Sequence, residues 1–417
     1  MRACLLREYF HPDTTGPQVW SEITRALADN FGVEFDVITS SNSYADCAAR
    51  FPAYSEWDGI RIHRVRTPRT KQPTTLKRLL AGIRFSLAAL GKLLSRRRRY
   101  DLLIVLSCPP ALPFVADLYR WLTGTPYVYL VPDLFPDLGV NLGELPASSP
   151  LVRLARRLQR RWLKHASRVI VLGRCMKDYL VRTYGLPPEQ VAVITSFADP
   201  QVISPQDKQT QFRREHGLTG FVVLYAGNFG PYHRFEDILD AAAALRDSHP
   251  EITFALVGGG ARFDEVRERA ATRNLSNVRV IPAVPREQLS DLLASADLSL
   301  VTLEPGAEGL GVPSKFYSIL ASGRPTLAVL AEGSEVARVC AEAQCGVQCD
   351  LGDAGSLANQ IEELASDPDR LAAMGHNAVS ALQDRYTLEH VAWRYHEVFR
   401  QSMAGPATQE ATTCDPT

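Results

Sequence analysis

The chain has 417 residues, 46% of them apolar and 22% charged. That is enough for two globular domains with large cores, and it excludes disordered and collagen-like classes. Its 46 Lys and Arg balance 46 Asp and Glu overall, yet residues 1–200 carry 28 of the former against 17 of the latter, a net +11 offset by −11 in the remainder. An anionic partner is therefore expected on the first half alone, and no nucleic-acid motif accompanies the arginines.

The eight cysteines (4, 47, 108, 175, 340, 345, 349 and 414) form no C-x-x-C pair, and the 340/345/349 trio has no histidine nearby. Reduced structural thiols, with no metal site and no cofactor, are the expectation. Residues 1–8 are too short and too charged for a signal peptide. No run reaches the length of a membrane span. A cytoplasmic protein is expected, with peripheral attachment to the inner face of the cell membrane open to it.

Residues 1–195 alternate strand and helix patterns. Strands are expected at 3–6, 35–39, 60–65, 102–106, 127–131, 168–172 and 191–194, and helices at 18–30, 76–95, 112–122, 151–165 and 175–184. This is the pattern of a parallel α/β domain. Two of its helices are basic and amphipathic. One, at 75–95, carries Lys77, Arg78, Arg84 and Lys92 among leucines and leads into four arginines at 96–99. The other, at 151–165, sets Arg153, Arg156, Arg157, Arg160, Arg161 and Lys164 around leucines and Trp162. Such helices suit an anionic lipid surface. Residues 196–218 are polar, contain Pro200 and Pro205, and read as a linker.

A second α/β domain is expected over 219–385. Its strands at 221–226 and 253–257 run into Gly227-Asn228-Phe229-Gly230 and Gly258-Gly259-Gly260, and helices follow at 235–245 and 264–274. A third unit has a strand at 298–303, a loop with Gly306, Gly309 and Gly311, and then Val312-Pro313-Ser314-Lys315 opening an apolar helix that Gly323 and Pro325 stop. Helices are further expected at 357–364, 369–377 and 378–386. A separate amphipathic helix at 386–402 presents Val391, Trp393, Tyr395 and Phe399 to the first domain. Residues 403–417 read as a disordered tail.

Strand, glycine loop and helix N-terminus, three times over, suggest a phosphate site at the carboxyl ends of a doubly wound sheet. For any one loop, a plain tight βα turn is an equal reading. Lys315, His233, Arg234 and the amides of Val312, Ser314 and Lys315 are candidates for stabilising a leaving diphosphate without a metal. Glu308, just upstream of that helix, is a further candidate for ligand contact. Asp133 follows a buried strand inside a Pro-bounded turn, where a carboxylate can orient an acceptor hydroxyl or simply cap the turn. Asp137 and His11 are weaker candidates.

In combination these motifs resemble a retaining glycosyltransferase of family four with the GT-B fold: two Rossmann-like domains facing across a cleft, with a C-terminal helix crossing back to the first. The most similar subgroup is the aminosugar transferases of bacterial surface polysaccharide synthesis. The matching pieces, in order, are Tyr9-Phe10-His11-Pro12-Asp13 with Thr15-Gly16, Val131 to Pro136, Tyr225 to Gly230, Val257 to Ala261, Asn277 to Pro282 with Ala283 after it, Ala296-Asp297, and Glu308 to Pro325. The resemblance implies donor contacts at Gly16, Gly227, Asn228, Gly230, His233, Arg234, Gly258, Gly259, Ala283, Gly309, Gly311, Val312, Pro313, Ser314, Lys315 and Ser318. It implies catalytic roles for Asp133, Glu308 and Lys315. It further implies a nucleotide-sugar donor, a UDP-aminosugar first among them, a lipid-linked or glycan acceptor, and front-face transfer with retention. The sequence departs from the family at the donor helix, where a ribose-holding glutamate would fall at Ser318 and its usual companion at Leu310. The first donor loop carries Asn228 and His233 where Arg and Lys are common. A sugar-nucleotide epimerase of the same fold, or a non-catalytic nucleotide-sugar-binding scaffold, stays open at this point.

Overall fold

The computed structural model describes residues 1–13, 18–43, 46, 49–67, 75–95 and 100–404. Gly16, the arginines at 96–99 and the 405–417 tail lie outside the described residues.

Two sheets organise the chain. The first has β1 (Arg2–Leu6), β2 (Glu34–Ser40), β3 (Tyr54–Trp57), β4 (Ile60–Val65), β5 (Leu102–Leu106), β6 (Tyr127–Val131), β7 (Arg168–Val171) and β8 (Val191–Val193) in the order β3-β4-β2-β1-β5-β6-β7-β8. All neighbours run parallel except β3, an antiparallel edge strand that the sequence does not announce. β5 and β6 are buried along their whole length, as central parallel strands covered on both faces must be. The helices are α1 (Gln18–Phe31), α2 (Thr75–Leu94), α3 (Leu112–Thr123), α4 (Asp137–Asn141), α5 (Pro150–His165) and α6 (Arg174–Tyr179), the last continued by one π turn over Leu180–Tyr184. Alternate strand residues sort the two faces. Cys4, Leu6, Leu103 and Val105 share a core with α2, α3 and α5. Ala3, Leu5, Leu102 and Ile104 share one with α1.

The second half begins with α7 (Gln211–Glu215), inside the stretch read as linker. It then alternates β9 (Phe221–Asn228), α8 (Glu236–Leu245), β10 (Ile252–Gly259), α9 (Phe263–Thr272), β11 (Val278–Pro282), α10 (Leu289–Ala294), β12 (Leu298–Thr302), α11 (Lys315–Ala321), β13 (Thr326–Val329), α12 (Glu335–Ala343), β14 (Gly346–Cys349), α13 (Ala354–Ala365), α14 (Pro368–Arg385) and α15 (Leu388–Met403). Its six strands run parallel in the order β11-β10-β9-β12-β13-β14. The winding reverses between β1 and β5 in one sheet and between β9 and β12 in the other. These are the crevices where such sheets take ligands.

α7 does not behave as free linker. Thr210 caps it, accepting from the Arg213 amide at 3.2 Å, and the buried Arg213 donates to the Ser295 carbonyl at 2.7 Å and pairs with Asp297. Lys208 also reaches Asp297, at 2.6 Å. Residues 208–218 are thereby fixed to the second sheet. The two helices expected over 369–386 are one, α14. Gly375 lets α14 approach Gly323 so closely that a Cβ would lie 2.5 Å from the Gly323 carbonyl oxygen.

α15 crosses back to the first domain. Val391, Tyr395 and Phe399 join Trp20, Ile23 and Leu27 of α1 in one core, with the Trp20 and Tyr395 rings edge-on at 5.3 Å. Trp393 does not take part and is 49% exposed. Two residues on from Val391, it sits on the opposite side of the helix. Phe399→Ala is therefore expected to cost about 3–5 kcal/mol, and Trp393→Ala no more than about 0.5 kcal/mol, as read by denaturant unfolding.

Candidate active site

Across the cleft, the carboxyl ends of β9 and β12 meet the loops after β6 and β8 around a cavity of about 440 Å3. Lys315, the first residue of α11, crosses this cavity beneath the chain. Its Nζ lies 3.7 Å from the centre of the Tyr225 ring and 3.2 Å from where a Cβ on Gly227 would stand. A side chain there would have to push the amine aside by a few tenths of an ångström, and the Gly227 φ of 152° is one that favours glycine. The Nζ is shut off from solvent and has no hydrogen-bond partner. Burial drives its pKa well below the ordinary lysine value, and the π face of Tyr225 offsets part of that cost.

His233 Nδ1 is likewise buried and unpartnered. Burial first, and then the Lys315 charge, push the imidazole down to about 3. At neutral pH it is a hydrogen-bonding group and not a cation. Each unsatisfied buried polar group costs about 1–3 kcal/mol. Two of them on one cavity wall describe a site shaped for a guest rich in acceptor oxygens. α11 has 7 residues and Pro313 lies before its cap residue, Ser314, so the helix dipole adds little. The side chains carry the case.

The loop that presents His233 is pinned from below. Arg262 donates to the His233 carbonyl at 2.8 Å and pairs with Glu236, Glu265 and Glu304. The Glu304 amide donates to the Tyr232 carbonyl at 2.7 Å. On the facing wall, the Leu134 amide donates to the Leu310 carbonyl at 2.9 Å, and a Cβ on Gly311 would stand 3.0 Å from Asp133 Oδ1. Asp133 is open to solvent through the cleft but hemmed in by protein on its other sides, which raises its carboxyl to about 6.

A model of the Glycosyl transferase 4-like domain matches residues 15–196, and one of Glycosyl transferases group 1 matches residues 207–380. Probable glycosyltransferase WbjE of Pseudomonas aeruginosa is 32% identical over 322 residues, covering 77% of this chain and 79% of that protein. The chain belongs to this glycosyltransferase family. Putative colanic acid biosynthesis glycosyl transferase WcaI of Escherichia coli K12 is 28% identical over 282 residues, 65% of this chain and 67% of that protein. Among solved structures, sucrose-phosphate synthase from Thermosynechococcus elongatus superposes with a TM-score of 0.76 at 18% identity, covering 97% of this chain and 99% of that one. Anabaena Alr3699/HepE in complex with UDP and glucose gives 0.71 at 17% identity, covering 96% and 99%. These neighbours share the GT-B fold.

In the transferase, Asp133, Gly227, Asn228, His233, Gly311, Val312, Pro313, Ser314, Lys315 and Ser318 line the cavity. The other expected site residues do not. Arg234 is held by Asp237 at 2.7 Å and by Glu304 at 3.7 Å, away from the cavity. Glu308 is exposed and accepts from the Gly306 amide at 2.8 Å, bracing its own loop. Gly258 serves close packing, since a Cβ there would sit 1.8 Å from the Gly227 carbonyl oxygen. Gly259 follows it, and Gly230 closes the turn in which the His233 amide donates to its carbonyl. Gly309 packs on the Cys175 carbonyl of the first domain. Ala283 is exposed at the far edge strand. His11 stacks on Trp57 at 4.1 Å. Asp137 is buried and bound to Arg156 at 2.7 Å and to Tyr184. A second hollow of about 570 Å3 against α12 is lined by Arg338 and Glu342, whose charges are taken up by Asp178 and Arg174.

Val19, Ser196, Phe197 and Tyr232 also line the cavity without any motif to announce them. Glu8, just past β1, is pushed up to about 7 by burial, against the effect of a hydrogen bond with Tyr9.

Lys315→Met is expected to weaken nucleoside diphosphate binding tenfold or more, because a charge-assisted bond is worth about 1.5–3 kcal/mol. The empty protein should lose no thermal stability, since an unpartnered buried amine is removed. Calorimetric titration with UDP and a melting curve read both. For Asp133 the raised pKa means that the folded state holds its proton longer than the unfolded chain. Its share of stability is complete below 3.8 and is lost as pH climbs to about 6. Asp133→Asn should therefore lessen the fall in stability between pH 4 and 6 (about the two pKa values), measured as Tm against pH, while the part due to Glu8 remains.

Proposed function

We propose that this transferase moves a sugar from a nucleotide-sugar donor, a UDP-aminosugar by family resemblance, to a lipid-linked or glycan acceptor in bacterial surface polysaccharide synthesis, with retention. The observation that carries the reading is the pair of unpartnered buried groups, Lys315 Nζ and His233 Nδ1, on one cavity wall. A diphosphate supplies the charge and the acceptor oxygens that both lack. The name of WcaI, a putative colanic acid biosynthesis glycosyl transferase, supports the polysaccharide setting, and the UDP held by HepE supports the donor class.

In this reading the donor lies along β9 and α11 with its diphosphate on Lys315 and its sugar toward Asp133. The acceptor enters over the first domain. Its hydroxyl attacks the anomeric carbon from the side on which the diphosphate leaves. The acceptor C–O bond forms as the bond to the phosphate oxygen breaks, and that oxygen takes the proton. Lys315 stabilises the charge that develops there. Asp133 orients the hydroxyl by accepting a hydrogen bond from it. Ser318 stands where a ribose-binding acid is usual, so the ribose hydroxyls meet a neutral partner. The first domain is also read as the side that meets an anionic membrane.

A panel of nucleotide sugars screened by thermal shift, followed by transfer assays with polyprenyl-diphosphate sugars, tests the proposal. A bound donor whose sugar appears on the acceptor with its anomeric configuration kept is the expected result. Release of free epimerised sugar without acceptor, or binding with no turnover of any kind, would replace this reading by the epimerase or the scaffold.

A further inference from the structure

We propose that α2, α3 and α5 together form a face that inserts into the headgroup layer of an anionic bilayer, with α3 as its apolar centre. This deepens the membrane element of the reading above, but it rests on an outer surface and not on the cavity.

The three helices cover one side of the first sheet, with α3 packed between α2 and α5. Each carries its expected inward stripe, such as Phe85, Ala89 and Leu93 on α2. Each also carries a second apolar stripe that faces water. On α2 it is Leu80, Ile83, Leu87 and Leu94, at helical spacing. On α5 it is Leu151, Leu154 and Leu158. On α3 it is Phe114, Trp121 and Leu122. Trp121 and Leu151 are each 76% exposed. Single exposed leucines are ordinary. Most of the large apolar side chains exposed among the described residues fall on these three adjacent helices, and that is a patch which calls for a covering.

The charges decide what covers it. Lys77, Arg84, Arg120, Arg153, Arg157 and Lys164 are exposed on the same helices. Their one acid, Asp117, is buried and committed to Arg161 at 3.0 Å and His165 at 2.7 Å. The described residues of this face thus offer cations and apolar side chains with no exposed carboxylate. Leucines and an aromatic pair beside long basic side chains match an anionic lipid interface, where the apolar groups enter the acyl boundary and the cations stay with phosphates. No helix among the described residues is long and apolar enough to cross a membrane, so the contact is interfacial.

The full chain is tested by co-sedimentation with vesicles of equimolar phosphatidylglycerol and phosphatidylcholine, and with phosphatidylcholine alone, at low and high salt. The expected result is binding to the anionic vesicles that high salt weakens but does not abolish, with tryptophan emission moving to the blue. F114S/W121S/L122S should lose the salt-resistant part by tenfold or more. R153Q/R157Q/R160Q should lose the preference for anionic lipid. UDP affinity, unchanged in both variants, shows that the fold stands and keeps this test separate from that of the transferase reading. Wild-type binding that salt abolishes completely, or a triple apolar variant that binds like wild type, overturns insertion. A self-association that the apolar variant breaks, with no vesicle binding, overturns it in favour of a protein interface.

Discussion

A lysine amino group enclosed by protein with no acceptor within reach is the constraint around which the second domain is arranged. Lys315 is held over Tyr225. Tyr225 is in turn wedged between Phe229 and Phe235, with ring centres 5.4 and 4.9 Å away, and its hydroxyl donates to the Asn228 carbonyl at 2.7 Å. This aromatic cluster cannot yield without opening the core behind it. Gly227 keeps the space above the amine free, and the ion pairs of Arg262 keep His233 beside it. The unpartnered groups are therefore costly to hold and rigidly placed at once. Such preorganisation weakens the apo state while sparing the bound state the cost of ordering.

The two domains touch on both sides of that site. Arg174 donates to Glu335 from its backbone amide at 2.5 Å and from Nε at 3.0 Å, and reaches Glu342 at 2.5 Å. Arg338 pairs with Asp178, and Arg286 with Glu22. The Arg338–Asp178 and Arg286–Glu22 pairs are partly exposed and contribute little each. Glu335 is buried, so its pairing with Arg174 is the one whose loss would leave an uncompensated carboxylate between the domains. The contact that matters chemically is the Leu134–Leu310 backbone bond. It ties the turn bearing Asp133 to the loop that leads into Lys315, so the spacing between the two walls of the cavity is set by peptide geometry.

What the sequence made legible follows from how much physics is local. The strands at 102–106 and 127–131 read plainly because both faces are buried. β3 is four half-exposed residues on an edge, and β13 and β14 are four residues each, too short for periodicity to register. The glycine loops and Lys315 stood out through spacing. The fate of Arg234 did not, because its pairing with Asp237 and Glu304 depends on where β12 delivers Glu304. Glu308 turned back to its own loop amide for the same kind of reason. Val19, Ser196 and Phe197 reach the cavity through the tertiary arrangement alone. On α2 the apolar residues announced a helix, but only the packed structure distinguishes the stripe that is covered from the stripe that is not.

The last helix has a consequence for how the protein is made. α15 completes a core that β1 and α1 begin, so Trp20, Ile23 and Leu27 wait for Tyr395 and Phe399 until nearly the whole chain has left the ribosome. The second domain is contiguous and can close earlier, since domains fold as units during synthesis. The half that is translated first is thus finished last. A chain interrupted shortly before residue 391 would carry a sound second domain joined to an adhesive, unsealed first one, and chaperones and proteases would meet it by that unsealed side.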